Sequence, residues 1–199
     1  AQHDPGRGAV RLLARNKVHE AIDMAGKAPK RQNSPISDAE RHFVLAMAHS
    51  QQGDVDAALV QAKQAVSLGL PIQRLQAGPR EVFAPLSAHP AFADWMEAEG
   101  SPLLHGPMIG HLTDDSARFW VRTYAEADVG IVVEPAAPRS TPLTGTARTT
   151  AVRDFTAVIA VSDLRPDTRY RYQVLVNGER IEPSAAFTTF PQERILAAR

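Results

Sequence analysis

Apolar positions in the first hundred residues recur with the spacing of amphipathic helices. Between residues 55 and 66 they follow the i, i+3, i+4, i+7 pattern of one helix face. Asp54 stands at the N-cap position before this stretch, and Gly69 follows it as a stop signal. An earlier stretch begins at the capping box Ser37-Asp38-Ala39-Glu40 and ends at Gly53. The pattern therefore predicts two helices joined by a Gly-Asp turn.

This hairpin resembles a tetratricopeptide repeat. A weaker copy covers residues 16–29, in which Ala21 stands 37 positions before Ala58, close to the period of about 34 residues of this repeat type. A linker over residues 29–35 would account for the extra length. A generic helical hairpin is the alternative, because His42 and His49 stand where the repeat carries large aromatic side chains. The residues that carry the match are Leu45, Ala46, Ala48, Gly53, Asp54, Ala58, Leu59, Ala65 and Val66.

Residues 79–98 predict a closing helical cap for this part of the chain. Phe83, Phe92 and Trp95 are placed to cover the open end of stacked helices, which an array of helical repeats requires. Gly100-Ser101-Pro102 then breaks the helical pattern. We therefore predict a tetratricopeptide-like helical domain over residues 1–100.

Beyond residue 102 the apolar spacing changes to two. Apolar residues alternate along 155–161 and again along 170–176, which is typical of antiparallel strands with one buried face. Asn177-Gly178 follows the second run and accepts positive φ at both turn positions, a strong hairpin signal. Short strands without helical periodicity predict an antiparallel β-sandwich over residues 101–192. The expected fold class is therefore α + β, with a helical domain followed by a sandwich.

The segment Ser116–Thr123 predicts a strand with a distinctive outer face. Phe119 lies in the set that alternation places in the core, and the opposite set is Arg118, Trp120 and Arg122. Trp120 then stands between two guanidinium groups, where its indole can be held by their cationic planes. Because so large an apolar side chain is generally covered, we expect Trp120 to lie at an interface, either with the helical cap or with a domain outside this chain. The reverse register, with Trp120 in the core, is the alternative.

Composition and charge narrow the classes of function. Lys+Arg and Asp+Glu number 22 each, and no basic stripe indicates a nucleic-acid or polybasic membrane partner. The chain has no Cys, which excludes disulfides and thiolate chemistry. No apolar run approaches the ~18 residues of a membrane span. None of the seven His residues has the spacing of a metal site, and no nucleophile elbow or phosphate-binding Gly loop is present. We expect no catalytic, cofactor-binding or metal-binding residue in this chain.

The segment from Leu164 to Val174 has the pattern Leu-x-Pro-x-Thr-x-Tyr-x-Tyr-x-Val. It resembles the corner of fibronectin type III-like domains, in which a Tyr near the start of a late strand bonds back to the preceding backbone. The resemblance implies that Tyr170 is the corner tyrosine and that Leu164 fills the core beneath it. An ordinary loop-to-strand junction with a buried Tyr is the alternative.

The string His105-Gly-Pro-Met-Ile-Gly-His-Leu-Thr-Asp-Asp-Ser-Ala-Arg-Phe-Trp-Val-Arg-Thr123 resembles the opening of alkaline phosphatase D-type proteins. The corner string and the closing Phe187-Thr-Thr-Phe-Pro191 also resemble that family. In this family a β-sandwich precedes a calcineurin-like metallophosphoesterase domain. The resemblance implies that residues 193–199 lead into a catalytic domain outside this chain.

The resemblance implies metal-assisted hydrolysis of phosphate esters by that catalytic domain, with divalent cations such as calcium or iron held there. The sandwich would be its docking and packing partner, and the helical repeats would bind another protein or peptide. A stand-alone protein–protein interaction adaptor and a purely structural exported module are the alternatives. The start at Ala1-Gln2 fits cleavage of a signal peptide, and we expect a periplasmic or secreted protein. A chain trimmed by other means would start in the same way, so a cytoplasmic protein is the alternative.

Overall fold

The chain divides into two compact units, Ala1–Ser101 and Pro102–Arg199. The first is helical and the second is a sandwich of two antiparallel sheets, so the expected α + β fold class is confirmed. The computed structural model describes residues 5–27, 38–135 and 141–192.

Several features of the sequence analysis lie outside the described residues. They are the chain start at Ala1, Ser37 of the capping box, the linker over 29–35 and the segment 193–199. In the described parts, no helix is long and apolar enough to cross a membrane.

The described part of the first unit forms helices joined in hairpins. In the predicted hairpin, the Asp54 carboxylate accepts a hydrogen bond from the Ala57 amide at 3.2 Å, which caps the second helix. Gly53 precedes it with φ +81°, a conformation that favours glycine. The tetratricopeptide character of these hairpins stays a prediction. The helices are α1 (Pro5–Leu13), α2 (Val18–Gly26), α3 (Asp38–Gln52), α4 (Val55–Ser67), α5 (Gln73–Ala77), α6 (Arg80–Ser87) and α7 (Pro90–Glu99).

Alanine dominates the contact between α3 and α4. Ala58, Ala62 and Ala65 of α4 are fully buried, as is Ala46 of α3. Side chains this small let two helices approach closely, and the larger core volume is filled elsewhere, where Phe43 meets Phe83 edge-on at 5.6 Å. Residues 79–98 contain α6 and most of α7, which bury Phe83 and Phe92, and their role as a cap stays a prediction.

The sandwich places a three-stranded sheet against a four-stranded one. The orders are β1-β2-β5 and β4-β3-β6-β7, and every pair of neighbouring strands is antiparallel. Phe155, expected at the start of a strand, lies just before β5 with φ +56° and so outside the ladder. The strands are β1 (Leu103–Gly110), β2 (Ala117–Thr123), β3 (Ala127–Pro135), β4 (Leu143–Thr149), β5 (Thr156–Val161), β6 (Arg169–Val176) and β7 (Glu179–Thr188).

The sandwich core consists of the inward residues of both sheets. Phe119 of β2 is fully buried and lies 5.0 Å from the ring of Tyr172 and 5.9 Å from the ring of Phe187. Val121 and Ile159 extend the same layer along the first sheet. The aromatic cluster therefore joins β2 of one sheet to β6 and β7 of the other.

The edges of the two sheets are protected in two different ways. On one side β4 passes so close to β5 that a Cβ at Gly145 would collide with the Ala160 carbonyl. On the other side the edge strands β1 and β7 carry Pro107 and Pro183 at points where their register shifts. A proline has no amide hydrogen to offer an incoming strand, so these edges resist strand addition.

Burial raises the pKa of the Tyr172 phenol above its ordinary value. As the pH rises, the unfolded chain therefore releases this proton before the folded chain does. The free energy of unfolding should be unaffected by this group below about pH 10 and should fall above it. Urea denaturation at about pH 8 and pH 11 should show a smaller alkaline loss for Tyr172→Phe than for the unchanged chain. An equal loss of stability between pH 8 and pH 11 in the two proteins would contradict a raised pKa of Tyr172.

Candidate functional site

Tyr170 stands at the start of β6 with its hydroxyl folded back towards the preceding loop. The hydroxyl accepts a hydrogen bond from the Arg165 amide at 2.8 Å, and the ring stacks on Phe187 at 5.6 Å. Leu164 is buried in the same core. This is the geometry of a tyrosine corner, which fixes the loop before β6 against the body of the sandwich.

A threonine that the sequence analysis did not single out completes this corner. The Thr189 hydroxyl donates to the Arg165 carbonyl at 2.6 Å and accepts from the Thr168 amide at 3.0 Å. Thr189 is 2% exposed and follows β7 directly. It therefore ties the end of the last strand to the corner loop.

Trp120 lies on the outer face of the three-stranded sheet, at its centre. Its ladder partners are Met108 on β1 and Val158 on β5. Directly opposed residues of antiparallel strands share a face, so the three side chains form one apolar row. Two interstrand spacings of about 4.8 Å put Met108 and Val158 about 10 Å apart.

The two ends of this row are exposed. Met108 is 58% exposed and Val158 is 57% exposed, and Trp120 between them is half-buried. We call Met108, Trp120, Val158 and the neighbouring Arg118 the Trp120 face. Aromatic, Met and Arg side chains are enriched at protein interfaces, which makes this face a candidate binding surface.

The two arginines beside Trp120 have different surroundings. The Arg122 guanidinium forms an ion pair with Asp154 at 2.7 Å, with a further hydrogen bond from Nε to the Asp154 carbonyl at 3.3 Å. Arg118 is exposed, and no carboxylate of the described residues is within ion-pair distance of it. Its ladder partners are Gly110 and Ala160, which leave the guanidinium unobstructed. Within the described parts of the chain, Arg118 is therefore the one cation of the Trp120 face without an ion-pair partner.

Alternation along the sequence indicated Trp120, Arg118 and Arg122 but not the apolar partners of Trp120. Alternation along β5 already implied an outward Val158, since Ile159 is inward. Met108 could not be placed from the sequence, because the register of β1 shifts at Gly106-Pro107. Gly106 has φ +90°, and a Cβ there would meet the Trp120 carbonyl.

The histidines and carboxylates of the described residues form no cluster suited to a metal ion. No three His, Asp or Glu side chains in those parts of the chain are placed to hold a metal ion. His42 Nδ1 lies 2.6 Å from the Gln61 side-chain oxygen, a structural hydrogen bond. His105 lies within β1, whereas His111 follows it with φ +45°. The best-defined candidate site among the described residues is the Trp120 face.

Comparison with known sequences identifies one family. The family described as Domain of unknown function (DUF7800) matches residues 100–195, just under half of the chain, and this range includes every strand of the sandwich. No curated protein of similar sequence was found.

Solved structures show distant similarity. PhoD is 18% identical over 42% of this chain and 18% of the PhoD chain, with a TM-score of 0.36. The sensor domain of the anti-sigma factor RsgI4 from Pseudobacteroides cellulosolvens is 19% identical over 47% of this chain and 99% of that chain, with a TM-score of 0.35. A redesigned β-sandwich protein is 19% identical over 47% and 98%, with a TM-score of 0.34. This chain thus spans less than a fifth of the length of PhoD.

Tyr170→Phe should lower the free energy of unfolding by about 1 kcal/mol, the net contribution of one hydrogen bond. Tyr124→Phe is the matched control, because Tyr124 is exposed. Urea denaturation followed by circular dichroism measures both. A Tyr170 variant as stable as the control would mean that the corner hydrogen bond does not stabilise the fold.

Trp120→Ala should lower the local stability of the sandwich by only about 1 kcal/mol, the scale of cross-strand contacts. Phe119→Ala, at the adjacent inward position, should lower the stability by about 3–5 kcal/mol, because the substitution leaves a cavity in the core. Hydrogen–deuterium exchange of peptides from β2 and β5 reports both losses. A loss for Trp120→Ala as large as that for Phe119→Ala would place the indole in the core.

Proposed function

We propose that the chain is a non-catalytic docking module of a metal-dependent phosphoesterase of the alkaline phosphatase D type. The strings over 105–123 and 164–174, which resemble that family, support the choice of enzyme. The catalytic domain would hold the divalent cations, calcium or iron or similar, and carry out the hydrolysis. The part assigned to this chain is to bind and position that domain.

The Trp120 face is the observation that carries the docking role. An apolar row about 10 Å wide matches the width of one helix or of a pair of strands. Trp and Arg are the side chains most often found to dominate the energy of binding. Both stand on this face, Trp120 at its centre and Arg118 beside it.

The unpaired cation defines the chemistry of the partner surface. Arg118 would lose solvent on docking, and a buried guanidinium needs a partner. The partner surface should therefore carry apolar side chains over Met108 and Val158, with a carboxylate placed to receive Arg118. A charge-assisted pair of this kind also fixes the orientation of the two surfaces.

The mode of docking follows from the sheet edges. Pro107 on β1 and Pro183 on β7 interrupt the edges at which a partner strand could add. We therefore propose docking through side chains on the face of the three-stranded sheet, not through an added strand. The helical hairpins are proposed as a second surface that binds another protein or peptide.

The test is to titrate the chain with the separately expressed polypeptide that its gene encodes beyond residue 199. Trp120→Ala should weaken binding at least about tenfold, which corresponds to about 1.4 kcal/mol. Arg118→Gln should weaken it in low salt and much less in high salt. Val152→Ser is the matched control, because Val152 is 96% exposed and lies outside the face.

The chain alone should not hydrolyse an aryl phosphate with or without added divalent metal, whereas the polypeptide beyond residue 199 should. Metal-dependent turnover by the purified chain would overturn the docking assignment. A reading frame that stops at residue 199 would favour the stand-alone adaptor instead. An equal loss of binding for Trp120→Ala and Val152→Ser would mean that the Trp120 face is not part of the interface.

A further inference from the structure

The outer face of the four-stranded sheet has a depression where β7 departs from its ladder with β6. Tyr172 pairs with Ala185 and Val174 pairs with Ile181, so three residues of β7 oppose Gln173 alone. The three residues, 182–184, form a bulge that moves the edge strand away from its neighbour.

Side-chain contacts hold this bulge in a defined shape. The Gln173 side-chain amide donates to the Ile181 carbonyl at 2.6 Å. The Glu182 carboxylate accepts from the Ser184 amide at 3.2 Å. The floor and one wall of the depression are therefore fixed before any ligand arrives, which lowers the entropic cost of binding.

Two arginines from different strands line the depression. Arg171 of β6 and Arg180 of β7 are both exposed, and neither lies within ion-pair distance of a carboxylate in the described residues. Glu134 of β3 is the ladder partner of Arg171 and lines the same space. The ionic groups that line the depression are these two guanidinium groups and the Glu134 carboxylate, while the Glu182 carboxylate beside it accepts the hydrogen bond from the Ser184 amide.

The volume of the depression and the side chains that line it indicate the class of ligand. The depression has a volume of about 220 Å³, below the range of about 300–1,000 Å³ that holds drug-sized ligands. Guanidinium groups match the geometry of phosphate oxygens, to which they can donate two parallel hydrogen bonds. The Ser184 hydroxyl and the Glu134 carboxylate can bond to ligand hydroxyls, and Val132 and Leu175 complete the walls.

We propose that this depression, the Arg171 pocket, binds a small organic phosphate that carries hydroxyl groups. Arg171 and Arg180 hold the phosphate, and Glu134 selects for the hydroxyl-bearing part. The site lies on the opposite sheet from the Trp120 face and does not depend on the docking role proposed above.

The experiment uses the whole chain with glycerol phosphate and inorganic phosphate as probes and glycerol as the uncharged control. Isothermal titration calorimetry should show saturable binding of glycerol phosphate, several-fold tighter than inorganic phosphate, and no binding of glycerol. Arg171→Gln and Arg180→Gln should each weaken glycerol phosphate binding at least about tenfold, because each removes a charge-assisted contact. Arg169→Gln is the matched control, since Arg169 is an exposed arginine of the same strand outside the pocket.

Glu134→Gln separates the two parts of the proposal. Removing this carboxylate should tighten inorganic phosphate binding and abolish the preference for the ester. A preference that survives Glu134→Gln would overturn the role of the hydroxyl groups. Absence of saturable binding at millimolar ligand, or equal weakening by Arg169→Gln and Arg171→Gln, would overturn the pocket itself.

Discussion

The alternation of β2 is the constraint on which both the core and the Trp120 face depend. β2 is the central strand of its sheet, and it places Phe119 inward and Trp120 outward. A slip of one residue would exchange the two faces, burying Arg118 and exposing Phe119. The contacts of the Phe119 ring with Tyr172 and Phe187 prevent that slip, because they exist in one register only.

The same constraint explains why an apolar row can stay exposed in a stable sandwich. The core is already filled by the inward residues, so Trp120 stabilises the sheet only through its neighbours on the outer face. Trp is also among the side chains that most often dominate binding energy, which suits Trp120 to the docking role proposed above. On the other sheet, the bulge of β7 creates a depression because the ladder there is broken. The two outer faces therefore differ in chemistry. The Trp120 face is apolar and carries Arg118, whereas the Arg171 pocket is polar and carries two arginines.

Sequence periodicity was sufficient for the fold class and for the faces of regular strands. Alternation along β2 and β6 sorted inward from outward residues, and Asn177-Gly178 marked the hairpin, where both residues have positive φ. Periodicity could not locate the register shifts at Gly106-Pro107 and at 182–184, because each depends on pairing with another strand. Met108 and the Arg171 pocket follow from those shifts.

Arg122 shows a second limit of reasoning from one strand. Alternation placed it beside Trp120, but its guanidinium turns to Asp154, which is brought near by two consecutive residues of positive φ before β5. Alternation along a strand predicts the sheet face on which a side chain lies. The ion-pair partner of that side chain depends here on a loop that is distant in sequence.

Limited oxidation of the methionines by hydrogen peroxide tests most directly whether the Trp120 face is exposed and then covered. Met108 is 58% exposed, whereas Met47 and Met96 are 3% and 4% exposed. In the chain alone, mass spectrometry should find Met108 oxidised at least about tenfold faster than Met47, because the reaction follows access to the sulfur. Adding the polypeptide encoded beyond residue 199 should lower the oxidation rate of Met108 and leave the rates of Met47 and Met96 unchanged. Oxidation of Met108 at an unchanged rate in the bound state would contradict the account.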